Sequence, residues 1–295
     1  CSSRREAEPW VRSRTGLVLS PHYLGPKLAA LWIERPDLRA KAVQGQLHLG
    51  TLDTFITAMI SGGALHVMDP TQAQRTSLWN LEKACWDSEL LRFFGIPESL
   101  LPTVGQGPWS HKDGEILALL ADQSAAALGL DPRTASCLVN LGTGGFVLSR
   151  SATKPQVSAG LLLSHLGQRG GKAPWMAEGT VNGIASSFAL TQAPSGSVRG
   201  GQGEPEFCLP DFGAVGAPWW RSGMGPLFSS MATRLTGDAF KKALAQGLAF
   251  RVREILESLP GNGPILLSGG LSRDPHVLGA FQRSIPRNFL LAEDP

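Results

Sequence analysis

The sequence has 295 residues, 42% of them hydrophobic and 17% charged, with a formal net charge of +3. That length favours two domains of ordinary globular composition, each able to bury a core of its own. So small a charge argues against nucleic acid or an anionic membrane as the main partner. No apolar run approaches the roughly 20 residues of a membrane span, and no signal-peptide pattern is present. The four cysteines, Cys1, Cys85, Cys137 and Cys208, lack CxxC spacing and read as reduced thiols of a cytoplasmic protein. The chain opens on Cys1 rather than Met, so an N-terminal part is expected to be missing.

In chain order, the basic stretch "CSSRREAEPWVRSR" reads as a solvated terminus. Residues 20–45 read as a helix, with Leu28, Leu31 and Trp32 at helical spacing and Pro36 as its end. "HLGTLDTFITAMISGG" (48–63) predicts a second helix with a stripe of Leu52, Phe55, Ile56 and Met59 and a Gly62-Gly63 stop. "ALHVMDP" predicts a short strand, and "DSELLRFFGIP" an amphipathic helix closed by Gly95 and Pro97. "EILALLADQ" predicts a buried strand, and "SAAALGL" starts a helix of small side chains.

Beyond residue 132 the texture changes. "SCLVNLGTGGFVLSR" (136–150) reads as a β-hairpin around a glycine turn. Residues 158–181 read as strands around Gly-rich loops, and residues 192–206 as a surface loop. "DAFKKALAQGLAFRVREILESL" (238–259) predicts a long amphipathic helix buried through Leu244, Leu248, Val252 and Ile255. "GPILLSGGLSRDPHVLGAFQ" predicts a buried strand, a Gly-Gly turn and a helix. Mixed strand and helix signals without an internal repeat point to α/β layers, with a seam near residues 118–132.

Three features carry chemistry. "LGTGGF" (141–146) and "LLSGGLSRDP" (266–275) each place glycine backbone N–H groups where an anion can dock. A tight turn explains the first equally well, and neither has Walker or Rossmann spacing. Asp122 lies between an apolar run and a small-residue run, where it reads either as a helix N-cap or as a general base. His22 and Tyr23 precede a helix and line a pocket or pack. Asp53, Asp69 and Arg75 suggest a set of surface ion pairs of small energetic worth. The tryptophans of "APWW" (217–220) are expected in a core. The sequence has no nucleophile elbow, no HExxH and no metal-ligand cluster.

The order of these segments resembles the FGGY carbohydrate kinases, the family of glycerol kinase, xylulokinase and gluconokinase. "TGLVLSPHYLGPKLAALW" (15–32) is similar to that family's first signature, and residues 49–104 to the block that follows it. "LLADQSAAALGL" resembles the GDQ segment at the domain junction, "NLGTGGFVLS" the GTG hairpin and "MAEGTVNG" an EG turn. "CLPDFGAVGAPWW" resembles the APYW stretch, and "LLSGGLSRDPHVLGAFQ" the DGG segment.

The resemblance implies two actin-like, ribonuclease-H-like α/β domains, at 1–128 (sugar-binding part, incomplete) and 129–295 (nucleotide-binding part), with a cleft between them. It implies ATP-dependent phosphorylation of a sugar or polyol hydroxyl with Mg²⁺, and Asp122 as catalytic base. His22, Gln123 and Phe146 would meet the substrate. Gly142, Thr143, Gly270 and Asp274 would meet the nucleotide. A small-molecule sugar or polyol and ATP are then the expected partners, and a homo-oligomer is in keeping with the family.

Several departures qualify this. The family's opening DxGTT/S phosphate-binding turn and its final GAA helix are absent from these residues. The substrate contacts that precede the first signature are absent too. His22 stands for an aromatic, Leu24 for a serine, Ala121 and Ala185 for glycines, and Asp274 for an asparagine. The sequence therefore reads as a piece of a kinase or as a shortened paralogue. The alternative function is a non-catalytic protein of the same fold, binding sugar or serving as a structural partner; a different actin-like ATPase fits less well, because residues 15–105 resemble the sugar-binding part.

Overall fold

The computed structural model describes residues 2–158, 160–167, 174–194 and 208–293. The chain forms two compact units: Cys1–Leu128 with Leu162–Trp175, and Gly129–Leu161 with Met176–Pro295.

Unit 1 opens with a helix, α1 (Ser2–Thr15), where a solvated terminus was expected. Val11 and Thr15, four residues apart, share one buried helix face, which the basic composition masks. Arg14 pairs with Asp87 at 3.3 Å and also with Glu89. The Thr15 hydroxyl donates to Val11 O at 2.8 Å and accepts the Leu17 N–H at 3.1 Å, closing the helix. Gly16 follows at φ +71°, and a Cβ there would lie 2.4 Å from Leu163 O, so only glycine admits this crossing.

The helix expected over 20–45 is two helices, α2 (Leu24–Glu34) and α3 (Pro36–Val43). Pro36 ends one and starts the next, its missing N–H costing nothing in the first turn. Leu28 and Trp32 of α2 join Val11, Leu78, Leu90 and Phe94 in the unit's main core. Asp87 caps α6 (Ser88–Phe94) through the Glu89 and Leu90 N–H groups, and Gly95 closes it at φ +67°.

Helix α4 (Leu52–Ile60) buries Asp53, Thr54 and Thr57. Its apolar stripe faces outward, with Phe55 61% and Met59 66% exposed. Periodicity identifies a stripe but not which side of the helix is covered. Here the polar side is drawn in by hydrogen bonding, because the Asp69 N–H points at Asp53 Oδ2, 3.4 Å away.

The strands of unit 1 are short. β1 (Val67–Met68) pairs in parallel with β4 (Thr103–Val104). β2 (Trp79–Asn80) is antiparallel to β3 (Cys85–Trp86), and β5 (Trp109–His111) to β6 (Gly114–Ile116). β9 (Leu162–His165) also belongs here. The buried strand expected at "EILALLADQ" stops at Ile116. No described strand pairs with residues 117–121, and Leu117 is 73% exposed. Two helical pieces follow the strands: α5 (Pro70–Ala73) directly after β1, and α7 (Asp122–Gly129) after the exposed run.

Unit 2 is built on a sheet whose strands run β16 (Phe289–Leu291), β15 (Ile265–Ser268), β7 (Cys137–Leu141), β8 (Gly145–Ser151), β10 (Trp175–Val181). β15 is parallel to both β7 and β16. β7 and β8 form the glycine-turn hairpin, with Leu141 opposite Gly145. The expected turn at Glu178-Gly179 is strand interior; the chain turns at Asn182-Gly183 instead, Gly183 taking φ +58°. Helix α8 (Ile184–Phe188) follows. The long helix α9 (Gly237–Glu257) buries Leu244, Leu248, Val252 and Ile255 completely, each contributing about 1.5–3 kcal/mol of transfer free energy. α10 (Pro275–Ser284) packs beside α9. Two small antiparallel ladders complete the unit, β11 (Cys208–Leu209) with β14 (Leu227–Phe228) and β12 (Ala214–Val215) with β13 (Arg221–Ser222). Most of the loop expected at 192–206 lies outside the described residues. Among the described residues no helix is long and apolar enough to cross a membrane.

Candidate active site

Asp122 is the first residue of α7 and its side chain is exposed. It is therefore a first-turn carboxylate rather than the N-cap, and it favours the positive end of the helix dipole. Its Oδ1 accepts the Gln123 N–H at 2.7 Å. Gln123 is half-buried, and its Oε1 is buried without a hydrogen-bond partner, an acceptor left for a hydroxyl or water. Ala121 is pinned at both ends. Its carbonyl accepts the Ala125 N–H at 2.9 Å, and its N–H donates to Thr71 Oγ1 at 2.9 Å.

Thr71 connects this segment to a buried carboxylate. Its hydroxyl donates to Asp69 Oδ1 at 2.5 Å, and its N–H reaches the same oxygen at 2.8 Å. Asp69 is 2% exposed. Burial raises its pKa most strongly and nearby Asp53 adds to that, while the two bonds from Thr71 pull it down; the net direction is up. Asp53 and Asp69 are thus buried polar groups, not the surface ion-pair partners suggested by their spacing. The turn is clasped further by Gln74, whose amide donates to Pro70 O at 2.8 Å and to His165 O at 3.2 Å. The sequence signal for all this was "MDPT", in which Asp69 caps α5 with Pro70 in the first turn.

His22 sits in a separate loop before α2, exposed, its backbone N–H 3.3 Å from Ser20 Oγ. Ser20 and Pro21 line a hollow with Leu19, Pro26, Phe93 and Phe94. His22, Asp122 and Gln123 belong to unit 1; Phe146, Gly142, Thr143, Gly270 and Asp274 belong to unit 2.

In unit 2 the two glycine loops are brought together by strand pairing. β7 and β15 run parallel with Asn140 opposite Ser268, so the loops that follow them leave the same sheet end side by side. That is the ligand-binding end of an open α/β sheet. Gly269 has φ +84°, and a Cβ there would meet Asn140 Oδ1 and Leu141 O, each at 2.6 Å. Around an added Cβ at Gly142 or Gly270 there is open space. One glycine is thus demanded by packing, and two leave backbone uncovered. Thr143 is exposed, and its carbonyl accepts the Ala185 N–H at 3.2 Å, tying the hairpin turn to α8. Phe146 is half-buried on β8 opposite Asn140. Asp274 caps α10, its Oδ1 accepting the His276 N–H at 2.8 Å and the Val277 N–H at 3.2 Å. Aspartate does this as well as the asparagine of related sequences.

A buried ion pair holds the "CLPDFGAVGAPWW" segment. Arg251 Nε donates to Asp211 Oδ2 at 2.9 Å, and the two side chains are 6% and 0% exposed. Asp211 Oδ1 accepts the Gly216 N–H at 2.8 Å, and Arg251 Nη2 donates to Ala217 O at 2.5 Å. Trp219 is 58% exposed rather than a core residue, its indole N–H donating to Glu254 at 2.8 Å. Sequence reasoning missed Arg251 because it lies inside the amphipathic pattern of α9, next to the apolar Val252.

The fold defines an α/β protein of the actin-like ATPase architecture. It superimposes on a crystal structure of Plasmodium falciparum glycerol kinase with ADP at TM-score 0.79, with 18% identity, 97% of this chain and 63% of that chain covered. Gluconate kinase from Lactobacillus acidophilus gives 0.75, with 19% identity over 99% of this chain and 65% of that one. In sequence, the chain is 31% identical to a glycerol kinase of Dechloromonas aromatica over 304 residues, 93% of this chain and 60% of that protein. It is 33% identical to a glycerol kinase of Thermus brockianus over 290 residues, 88% of this chain and 57% of that protein. Residues 2–139 match the model of the FGGY family of carbohydrate kinases, N-terminal domain. The chain thus resembles the FGGY family of carbohydrate kinases, over residues 2–139 through the family's N-terminal domain, and it spans about 60% of the length of these curated relatives.

Proposed function

We propose that this chain takes part in the ATP-dependent phosphorylation of a hydroxyl group on a sugar or polyol, with Asp122 as general base. The observation that carries the reading is Asp122 itself: an exposed carboxylate at the start of α7, inside the stretch that matches the family model, on a main chain pinned at Ala121. Phosphoryl transfer demands little covalent chemistry from the protein and depends on positioning and charge neutralisation. A carboxylate that accepts the hydroxyl proton as the oxygen attacks the terminal phosphate meets that demand. Gln123 offers its unpaired Oε1 to a second substrate hydroxyl, and the family resemblance adds His22 and Phe146 as further candidate contacts.

In unit 2, the uncovered backbone at Gly142 and Gly270 suits close approach of phosphate and ribose, with the Thr143 hydroxyl as an added donor. Asp274 would stand near the adenosine. Among the described residues no three His, Cys, Asp or Glu side chains gather to hold a metal ion. Mg²⁺ would arrive with the triphosphate, since Mg²⁺ in kinases is held largely by substrate phosphates and water. The glycerol and gluconate kinases it resembles support a small polyhydroxylated substrate. The test is ³¹P NMR of the purified chain with MgATP and a panel of polyols, ketoses and sugar acids. Appearance of a phosphomonoester with one of them supports the reading; an unchanged ATP spectrum across the panel at high protein concentration defeats it.

A further inference from the structure

We infer that Thr71 is a positioning residue: with Asp69 as its anchor, it fixes the main chain that presents Asp122. As a statement about catalysis this rests on the proposed role of Asp122. The hydrogen bonds themselves run in one direction. The Asp69 carboxylate, 2% exposed, accepts a hydrogen bond from the Thr71 hydroxyl at 2.5 Å. With that proton committed, the hydroxyl oxygen can only accept, and it accepts the Ala121 N–H at 2.9 Å from 50 residues away in sequence. Behind Asp69 stands α4, whose inward polar face supplies Asp53 Oδ2 to the Asp69 N–H. Asp53 in turn takes a hydrogen bond from the Thr51 hydroxyl. The inverted amphipathicity of α4 has a purpose on this reading: its polar side ends a hydrogen-bonded chain through Asp69 and Thr71 to the residue before Asp122.

The need for such an anchor is local. Residues 117–121 belong to no described strand, so no ladder fixes their path into α7. The first N–H groups of a helix also lack partners within it. A residue between an unpaired run and a helix start is free to shift, and an ångström of movement at a reacting group is costly to rate. Thr71 supplies the missing constraint from another part of the unit.

The experiment compares Thr71→Val, which keeps shape and removes the hydroxyl, with Thr71→Ser, which keeps the hydroxyl. The readout is amide hydrogen exchange at Ala121 and through α7, with α2 as internal reference. Thr71→Val is expected to speed exchange at Ala121 by about five- to a hundredfold, the range that follows from leaving one buried N–H unpaired. Thr71→Ser is expected to stay within about threefold of the parent protein, and α2 to be unchanged in both. Equal exchange at Ala121 in Thr71→Val and the parent overturns the inference, and so does equal acceleration in both variants.

Where the parent transfers phosphate, Thr71→Val should lower kcat with KM for ATP unchanged, and Thr71→Ser should restore kcat. A Thr71→Val enzyme with unchanged kcat denies Thr71 its catalytic consequence. Failure of the underlying reading looks different: no transfer by the parent, or full activity in Asp122→Asn, removes the general-base role while the exchange comparison still decides whether Thr71 holds the segment.

Discussion

The neighbouring glycines Gly269 and Gly270 should respond in opposite ways to alanine. Gly269 lies at φ +84° and ψ 163°, a region of backbone space essentially reserved for glycine. A methyl group there would stand 2.6 Å from Asn140 Oδ1 and Leu141 O and 2.7 Å from Leu141 C. Two of these atoms are backbone of the adjacent parallel strand β7, so relief requires the ends of β7 and β15 to part. The backbone strain alone is worth roughly 1–3 kcal/mol, and the displaced strand end adds to it. Gly269→Ala should therefore speed exchange of the β7 and β15 amides by at least about fivefold, the equivalent of 1 kcal/mol. Gly270→Ala meets nothing within 4 Å, so those amides should stay protected. If the uncovered backbone is where nucleotide docks, Gly270→Ala should weaken ATP binding measured by calorimetry while leaving stability intact. Unchanged exchange in Gly269→Ala, or equal loss of protection in both variants, would refute the packing argument.

Removing Arg251 leaves the Asp211 carboxylate buried without its counter-charge, and Arg251→Met should cost unit 2 roughly 3–5 kcal/mol in urea denaturation. At Asp87, burial opposes ionisation, but bonds from Asn80, Leu90 and Glu89 and the charge of Arg14 outweigh it and hold the carboxyl below its ordinary 3.8. A depressed carboxyl contributes stability above its unfolded value that is lost as pH falls through the folded one. The part of the acid destabilisation of unit 1 that sets in below about pH 4 should therefore be smaller in Asp87→Asn, as read by circular dichroism against pH. Cys85 is exposed whereas Cys137 and Cys208 are buried, and burial with the Asp211 charge pushes the Cys208 thiol up. Iodoacetamide on the native protein should label Cys85 and spare Cys137 and Cys208, as peptide mass spectrometry would report.

What the sequence made legible was whatever local pattern determines. The GTG hairpin, the strand, turn and helix of residues 265–284 and the four-residue stripe of α9 all stand where periodicity and glycine placement put them. The failures have one physical source, that pattern does not say what lies opposite. The stripe of α4 is present but faces out. Leu117–Leu120 is apolar enough for a buried strand, yet no described strand pairs with it. Basic residues hid the buried face of α1. In the candidate site, the position of Asp122 at a helix start was readable, because a carboxylate before small helix-forming residues has few local uses. Its support was not, since Thr71 lies 50 residues away and its bond to Ala121 exists only once the chain has folded. Arg251 was invisible for a similar reason: its partner Asp211 lies 40 residues upstream.

The most direct test of the central claim is polyol-dependent ADP release by this chain against its Asp122→Asn variant, at saturating MgATP and with the substrate that scores in the NMR panel. A general base contributes about 10²–10⁴-fold to rate, and asparagine keeps the size of the side chain while losing its basicity. The variant should therefore lose at least about a hundredfold in kcat, with ATP affinity and the exchange pattern of α7 preserved. Retention of rate within about threefold would contradict the assignment of Asp122 as the base.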